Sequence, residues 1–197
     1  MLKEATRRVR FLNRDDALRL LAELPEHLAD MAAFSLATGL RRANVTGLQW
    51  SQVDLARRLA WIHPDQAKAC KAIPVPLNAE ALALITKQAG KHATHVFSFR
   101  GRPIIQLNTK AWYAALGRAG IEDFRWHDLR HTWASWHVQN GTPLFVLQEL
   151  GGWASTEMVR RYAHLAADHL APYAERLGTI RTSAVQTHGT NPSQPEN

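Results

Sequence analysis

The feature that most constrains the fold is the repeated pairing of a helix-capping residue with a downstream glycine or proline. Asn13 can cap a helix whose apolar face includes Leu18 and Leu21 and which stops at Pro25. A second apolar segment, about 27–38, runs into Gly39, and glycine is the usual left-handed residue after a helix. The same capping and stop residues predict later helices that start at Asn78, Asn108, about 127, Thr142–Pro143 and Ser155, and a last helix over about 168–177.

One stretch breaks this helical pattern. Segments 59–63 and 72–77 are short and apolar, which is typical of β-strands, and 50–55 is a possible third strand. Pro74 and Pro76 place the 72–77 strand at a sheet edge, because proline cannot donate to a neighbouring strand. The sequence therefore predicts a mainly α fold with a small antiparallel β-sheet inserted after the second helix, in the α+β class.

The charge balance indicates the kind of partner. Twenty-four Lys and Arg face 17 Asp and Glu, a net charge of +7, which favours a nucleic acid over a membrane surface. The single cysteine, Cys70, excludes a disulfide scaffold and a multi-cysteine zinc site. Neither a membrane-spanning apolar run nor a signal peptide is present, so we expect a cytoplasmic protein.

Several basic residues occupy positions where they could bind a phosphate. Arg41 follows the apolar helix that ends at Gly39, and a guanidinium fixed beside a helix terminus can bind a phosphate with two parallel hydrogen bonds. His127 and Arg130 are three residues apart, so they share one helix face. Lys68 lies in the loop between the two strands. Each of these, taken alone, is also compatible with an ordinary solvated charge or a satisfied histidine.

The histidines and tryptophans of the same region have other readings. His127 and His131 have a spacing that could bind zinc, but the glutamate of the metalloprotease motif is missing and Asp128 stands in its place. Trp126, Trp133 and Trp136 could stack on bases, although core packing is the more common role of such residues. We therefore expect no metal site and assign the three tryptophans to the core.

The most specific pattern surrounds Tyr162. Two arginines precede this tyrosine and a histidine follows it, and such cationic neighbours suit a nucleophile that reacts as a phenolate. A helix-turn-helix, with a helix over about 143–150 and a basic second helix over 155–162, explains the same residues as a DNA-binding module. From these residues alone the two interpretations are equally good.

Together, four motifs over about residues 11–175 resemble the catalytic domain of tyrosine recombinases, the phage integrase family. They stand in the family's order, and Trp153 and Tyr162 are nine positions apart. The motifs are Thr38-Gly39-Leu40-Arg41, Lys68, His127-Asp128-Leu129-Arg130, and Leu150-Gly151-Gly152-Trp153 followed by Tyr162.

The resemblance implies a site-specific recombinase that cleaves and rejoins DNA through a 3′-phosphotyrosyl intermediate, without metal, ATP or another cofactor. In this reading Tyr162 is the nucleophile, and Arg41 and Arg130 bind the non-bridging phosphate oxygens. Lys68 would protonate the leaving 5′ oxygen, and His127 would act as acid and base for the tyrosine. Trp153 would hydrogen-bond the phosphate or pack beside it.

The sequence departs from the family pattern at three points. Asn44 replaces an acidic residue that usually supports the first arginine, and Trp153 replaces the usual histidine. As a third departure, we expect no N-terminal DNA-binding domain of the family, because only about ten residues precede the first predicted helix. We expect a basic arm over 1–10, the catalytic domain over 11–177 and a disordered tail over 178–197.

Two questions stay open at this point. The chain could be an active recombinase, or a truncated remnant or helix-turn-helix protein that binds DNA without catalysis; the complete set of motif residues favours the first. The amphipathic helix over about 168–177 could pack on its own domain or, by the resemblance, dock on a neighbouring protomer and form a tetramer on DNA.

Overall fold

The computed structural model describes residues 9–63, 72–166 and 175. Helices dominate, and one three-stranded sheet and one short hairpin interrupt them. The helices are α1 Arg14–Glu23, α2 Glu26–Thr38, α3 Arg42–Thr46, α4 Ala79–Lys87, α5 Lys110–Arg118, α6 Asp128–Gln139, α7 Leu144–Gly151 and α8 Glu157–Arg160; the strands are β1 Val53–Asp54, β2 Leu59–Ile62, β3 Ile73–Pro76, β4 Ser98–Phe99 and β5 Arg102–Pro103.

The first two helices begin and end where the sequence predicts. The Asn13 side chain accepts a hydrogen bond from the backbone N–H of Asp16, which satisfies a free donor in the first turn of α1. Gly39 ends α2 in the left-handed conformation, with φ of 64°. The predicted apolar face of α1 is partly wrong, because Leu18 is exposed and Leu20 is the fully buried residue instead.

The predicted sheet is confirmed. Its strands run antiparallel in the order β1-β2-β3, and Ala60 pairs with Val75 in the middle of the β2–β3 register. Pro74 and Pro76 alternate outward on β3, which is an edge strand, while the residues between them face the core. The chain between β2 and β3, including Lys68 and Cys70, lies outside the described residues.

Three helix starts differ from the prediction. Thr109, not Asn108, caps α5 by accepting from the N–H of Trp112. Thr142 does not cap α7: its hydroxyl hydrogen-bonds the His137 ring, and Pro143 precedes the helix. Helix α8 starts after Thr156 instead of Ser155 and ends before Tyr162. Helix α3 and the β4–β5 hairpin had no counterpart in the sequence prediction.

The buried side chains form two clusters that meet at α6. The main core packs α1 to α5 and the sheet against the N-terminal half of α6, where Leu129 is fully buried. Trp126 belongs to the main core and Trp133 to the second cluster, as the core assignment of the tryptophans predicts; Trp136 is half-buried and donates to the Leu12 carbonyl. The second cluster of buried side chains, which we call the C-terminal cluster, consists of Trp133, Ala134, Val138, Leu147, Val159 and Tyr162.

Candidate active site

Arg130 lies at the contact between the two clusters. Its side chain is almost fully buried, and the guanidinium donates to the Gly39 carbonyl at 2.6 Å and to the Gly151 carbonyl at 2.5 Å. Gly39 follows the last residue of α2, and Gly151 is the last residue of α7. A helix carboxyl end carries unpaired carbonyls and partial negative charge, so both helix ends stabilise the cation.

Arg41 adds a second cation near Arg130. It immediately precedes α3, where its side chain is half-buried. Burial and then the charge of Arg41 lower the pKa of Arg130 to about 9, and burial lowers the pKa of Arg41, yet both stay protonated at neutral pH. Among the described residues neither arginine forms a salt bridge with a carboxylate. Two neighbouring cations with this charge balance favour an anion between them.

Tyr162 follows α8 and turns its ring into the C-terminal cluster, where only 1% of the residue is exposed. Its hydroxyl lies 2.5 Å from Nδ1 of His131 on α6. Burial raises the pKa of Tyr162 to about 12, although the nearby charges of Arg161 and Arg130 act in the opposite direction. The phenol is therefore protonated at neutral pH and needs a proton acceptor before it can react as a nucleophile.

The structure brings His131, and not His127, to the Tyr162 hydroxyl. The rings of His127 and His131 pack edge to face, with their centroids 5.0 Å apart, and His127 is exposed to solvent. Burial, followed by the charges of His127 and Arg161, lowers the pKa of His131 to about 4. Sequence reasoning treated His131 only as a possible zinc ligand, and no cluster of metal-ligating side chains is present in the described part of the chain.

Trp153 closes the site on the side of Arg130. The guanidinium lies over the indole ring, 4.2 Å from its centroid, and the ring also packs against Trp133 and Tyr162. A cation over a tryptophan face is attracted by the negative face of the ring. A side chain at Gly151 would collide with the same indole, since a Cβ there would be 2.0 Å from a ring carbon. Trp153 thus packs beside Arg130, and its predicted contact with the phosphate stays a prediction.

A groove of about 820 Å³ opens beside the His131 ring. His127 and His131 lie in its wall together with the exposed Arg125 and Arg161. Arg10 also lines the groove and donates to the Glu122 carbonyl, which fixes the start of the described chain against the α5–α6 connection. The groove therefore borders the His131 ring that contacts Tyr162, and its charged lining combines these three arginines with Asp123 and Asp128.

Comparison with known families and proteins gives this geometry a context. Residues 10–169 match the model of the phage integrase family.

The chain belongs to the phage integrase family.

Among its relatives, the integrase of Salmonella phage P22 is 48% identical over 94% of this chain and 52% of its own length. Tyrosine recombinase XerD of Lacticaseibacillus casei is 32% identical over 74% of this chain and 54% of its own length. The chain thus spans about half the length of these curated relatives.

Solved structures show the same fold. The catalytic domain of bacteriophage HP1 integrase is 30% identical, with a TM-score of 0.65 over 90% of this chain and 99% of that one. The XerA recombinase aligns with a TM-score of 0.69 over 90% of this chain and 67% of that one, at 20% identity. The predicted fold class, a tyrosine recombinase catalytic domain with mainly helices and a small antiparallel sheet, is confirmed.

The structure brings some of the predicted motif residues together in one site and leaves others outside it. Arg130, Trp153 and Tyr162 meet in one site, and Arg41 is close enough to affect the charge of Arg130. Asn44 is buried in the first turn of α3, where its backbone N–H donates to the Arg41 carbonyl. Lys68 lies outside the described residues, and its role stays a prediction.

The helix-turn-helix interpretation does not fit the structure. Helix α8 has only four residues, and Tyr162, which that interpretation placed on the second helix, is buried after its end. A recognition helix needs several exposed turns to lie along the major groove. The segment after α7 instead brings Tyr162 back onto α6.

Within the described ranges, the helices are too short or too polar to cross a membrane. The helix predicted over 168–177 lies outside the described residues except for position 175, as do most of the N-terminal arm and the 178–197 tail.

Proposed function

We propose that this chain is the catalytic domain of a site-specific DNA recombinase of the integrase type, which cleaves and rejoins DNA through a 3′-phosphotyrosyl bond. The observation that carries the proposal is the meeting of Arg130, Trp153 and Tyr162 from separate segments at one point. The site offers the parts that a phosphoryl transfer needs: a nucleophile and fixed cations for the charge that develops on phosphorus oxygens.

In the proposed reaction the Tyr162 oxygen attacks the phosphorus in line with the 5′ oxygen. The new bond is Tyr162 oxygen to phosphorus, and the bond that breaks is phosphorus to the 5′ oxygen. Arg41 and Arg130 bind the two non-bridging oxygens. Arg130 uses one donor from each terminal nitrogen on the Gly39 and Gly151 carbonyls, so other N–H groups of the same guanidinium stay available for phosphate.

Lys68, His127 and Trp153 complete the proposed machinery. Lys68 protonates the leaving 5′ oxygen, so that strand cleavage ends with a 5′-hydroxyl. His127, exposed in the groove near Arg130, is the residue that the family motif assigns as acid and base for the tyrosine. Trp153 supports Arg130 by packing under its guanidinium. The covalent linkage retains the energy of the broken bond, so a 5′-hydroxyl of another strand can reverse the step without ATP or a metal ion.

Double-stranded DNA is the proposed partner. The Tn1549 transposon integrase, whose structure is known with circular-intermediate DNA, aligns with a TM-score of 0.74 over 89% of this chain and 68% of its own. The arginines of the groove supply phosphate contacts, so affinity falls steeply with salt. Assembly of a tetramer on DNA through the helix over 168–177 and a cytoplasmic location belong to the same proposal.

Covalent trapping on nicked suicide DNA tests the proposal. The DNA pool comes from sequence that flanks the gene, and the short cleaved fragment diffuses away and prevents rejoining. We expect an adduct, measured as the intact mass of protein plus DNA, with wild type and none with Tyr162→Phe. Tyr113→Phe removes the hydroxyl of an exposed tyrosine on α5 and serves as the matched control.

The outcomes separate the two candidate functions. An adduct with wild type and Tyr113→Phe, but not with Tyr162→Phe, supports the recombinase. DNA binding at low salt without any adduct, on the flanking pool and on the attachment sites of the relatives, supports a protein that binds DNA without catalysis.

A further inference from the structure

The Tyr162 hydroxyl has a specific partner that the four family motifs do not name. His131 stands one position after Arg130 on α6, so it faces a different side of that helix, toward the segment after α8. Its Nδ1 lies 2.5 Å from the Tyr162 oxygen, and the two rings have their centroids 5.9 Å apart. His127, one turn earlier, contacts His131 and the solvent.

We propose that His131, in place of His127, accepts the proton of Tyr162 during strand cleavage; this inference rests on the proposed function. As the bond between the Tyr162 oxygen and phosphorus forms, the phenol proton moves to Nδ1 of His131. The phosphorus–5′ oxygen bond breaks, and the 5′ oxygen takes a proton from Lys68. The products are a phosphotyrosine, a 5′-hydroxyl and a protonated imidazole. In the reverse step that imidazole returns its proton to the leaving tyrosine oxygen.

The resting charge state suits this role. His131 is neutral at pH 7, since burial and neighbouring cations hold its pKa near 4. The proposal takes the tautomer with the proton on Nε2, in which Nδ1 has a free lone pair for the phenol hydrogen. The groups that face it are His127 just before its own helix, Arg130 on that helix and Arg161 from the segment after α8. The groove wall adds the charged residues Arg10, Asp123, Arg125 and Asp128.

Bound DNA makes His131 a stronger base. The largest cause of its low pKa is burial, and the next causes are positive neighbours. A phosphodiester on Arg41 and Arg130 brings negative charge to this place, which favours a protonated imidazole and raises the pKa of His131. The proton acceptor therefore becomes effective when the substrate is in place, and the free protein keeps Tyr162 protonated.

The test compares cleavage rates from pH 6 to 9 on the suicide DNA for wild type, His131→Ala and His131→Asn. The asparagine side chain can reach the position of Nδ1 and accept the same hydrogen bond, but it cannot take the proton. At pH 7 we expect both variants to cleave about 100-fold or more slowly than wild type. The deficit should shrink by about tenfold for each pH unit, because hydroxide replaces the missing base and the tyrosine pKa is far higher.

Two controls locate the lost proton transfer. His127→Asn, the matched change one turn away, should keep the pH profile of wild type whatever its rate. A substrate with sulfur at the bridging 5′ position has a leaving group that needs no acid, so it should restore Lys68→Ala and leave both His131 variants slow.

Other outcomes overturn the inference. If His131→Asn regains the wild-type rate, His131 only positions the tyrosine. A deficit that is constant across pH leads to the same conclusion, and a faster His131→Ala means that the hydrogen bond holds Tyr162 inactive. The absence of an adduct with wild type contradicts the proposed function itself and is distinguishable from all of these results.

Discussion

The main core and the C-terminal cluster of this domain differ in size and in what they hold. The main core packs five helices, the sheet and part of α6, and it fixes the ends of α2 and α3 where Gly39 and Arg41 stand. The C-terminal cluster is small, and one of its buried side chains is Tyr162, the proposed nucleophile. Arg41 thus stands beside the main core and Arg130 at the contact between the clusters, whereas the nucleophile belongs to the smaller cluster.

This division suits a reaction in which the tyrosine must meet a phosphate. The free energy of local opening depends on the apolar surface that a segment buries, so the α7–α8 segment opens at lower cost than α2 or the sheet. Tyr162 is 1% exposed, and its oxygen must become accessible to DNA while it keeps its contact with His131. Arg130 links the two clusters, because one of its bonds goes to the end of α2 and the other to the end of α7.

The largest effect is expected from Arg130→Lys. This change keeps the positive charge but removes the guanidinium whose two hydrogen bonds join the clusters. A lysine ammonium cannot reproduce two carbonyl bonds and a paired phosphate contact in the same geometry. We expect adduct formation to fall by about 100- to 1000-fold. The free energy of unfolding in urea should fall by about 2 kcal/mol, since a buried carbonyl loses its donor.

The matched control for this change is Arg118→Lys on the exposed surface of α5, where the arginine pairs with Glu23. Its effect on unfolding should stay within about 0.5 kcal/mol. Equal losses in the two variants would mean that Arg130 does not bridge the clusters.

Gly39→Ala disrupts the contact between the two clusters by adding a Cβ at a tightly packed backbone position. The φ of Gly39 is 64°, and a Cβ there would lie 2.3 Å from the Trp133 indole. Left-handed strain and the displacement of a buried ring together should cost about 3 kcal/mol of the free energy of unfolding. Gly90→Ala, at φ of 80° with nothing within 4 Å, has the strain alone and should cost about 1 kcal/mol. Similar losses at both sites in urea unfolding would contradict the packed contact.

The same valine-to-alanine change in each cluster sharpens the comparison. Val96 lies in the main core and Val159 in the C-terminal cluster, and both are at most 1% exposed. Each change should cost about 2 kcal/mol of local stability. In hydrogen exchange followed by mass spectrometry, Val159→Ala should accelerate α7 and α8 and leave α2 unchanged, whereas Val96→Ala should accelerate α2 as well. Uniform acceleration by Val159→Ala would show that the clusters open as one unit.

The main core was far easier to predict from the sequence than the C-terminal cluster. The cap at Asn13, the stop at Gly39 and the edge prolines of β3 are local signals, because each acts on the backbone within a few residues of itself. Helix α8 was predicted too long because the capping signal at Ser155 is local, whereas the burial of Tyr162 depends on α6.

The contacts of the site are long-range for the same reason. Arg130 bonds two backbone carbonyls, 91 and 21 positions away, and a carbonyl acceptor leaves no mark in the amino-acid sequence. His131 and His127 share a helix, so only the path of the chain after α8 decides which one meets the tyrosine. The one available signal was the position of His131 beside Arg130 in the motif.

The smallest effect is a difference in acid stability that depends on the burial of His131 beside Tyr162 of the C-terminal cluster. Its pKa is about 4 in the folded protein, against 6.5 for an exposed histidine. The folded state therefore binds fewer protons than the unfolded chain between these values, and the stabilisation present above pH 6.5 is lost as the pH falls toward 4. Since the side chain is partly exposed, we expect a loss of about 1 kcal/mol.

His131→Asn lacks this titration, so its melting temperature should fall less than that of wild type over the same range. His127 and His137 also have lowered pKa values, and they titrate in both proteins, so the difference between the two curves isolates His131. Parallel curves would place the His131 ring in solvent and remove it from the tyrosine.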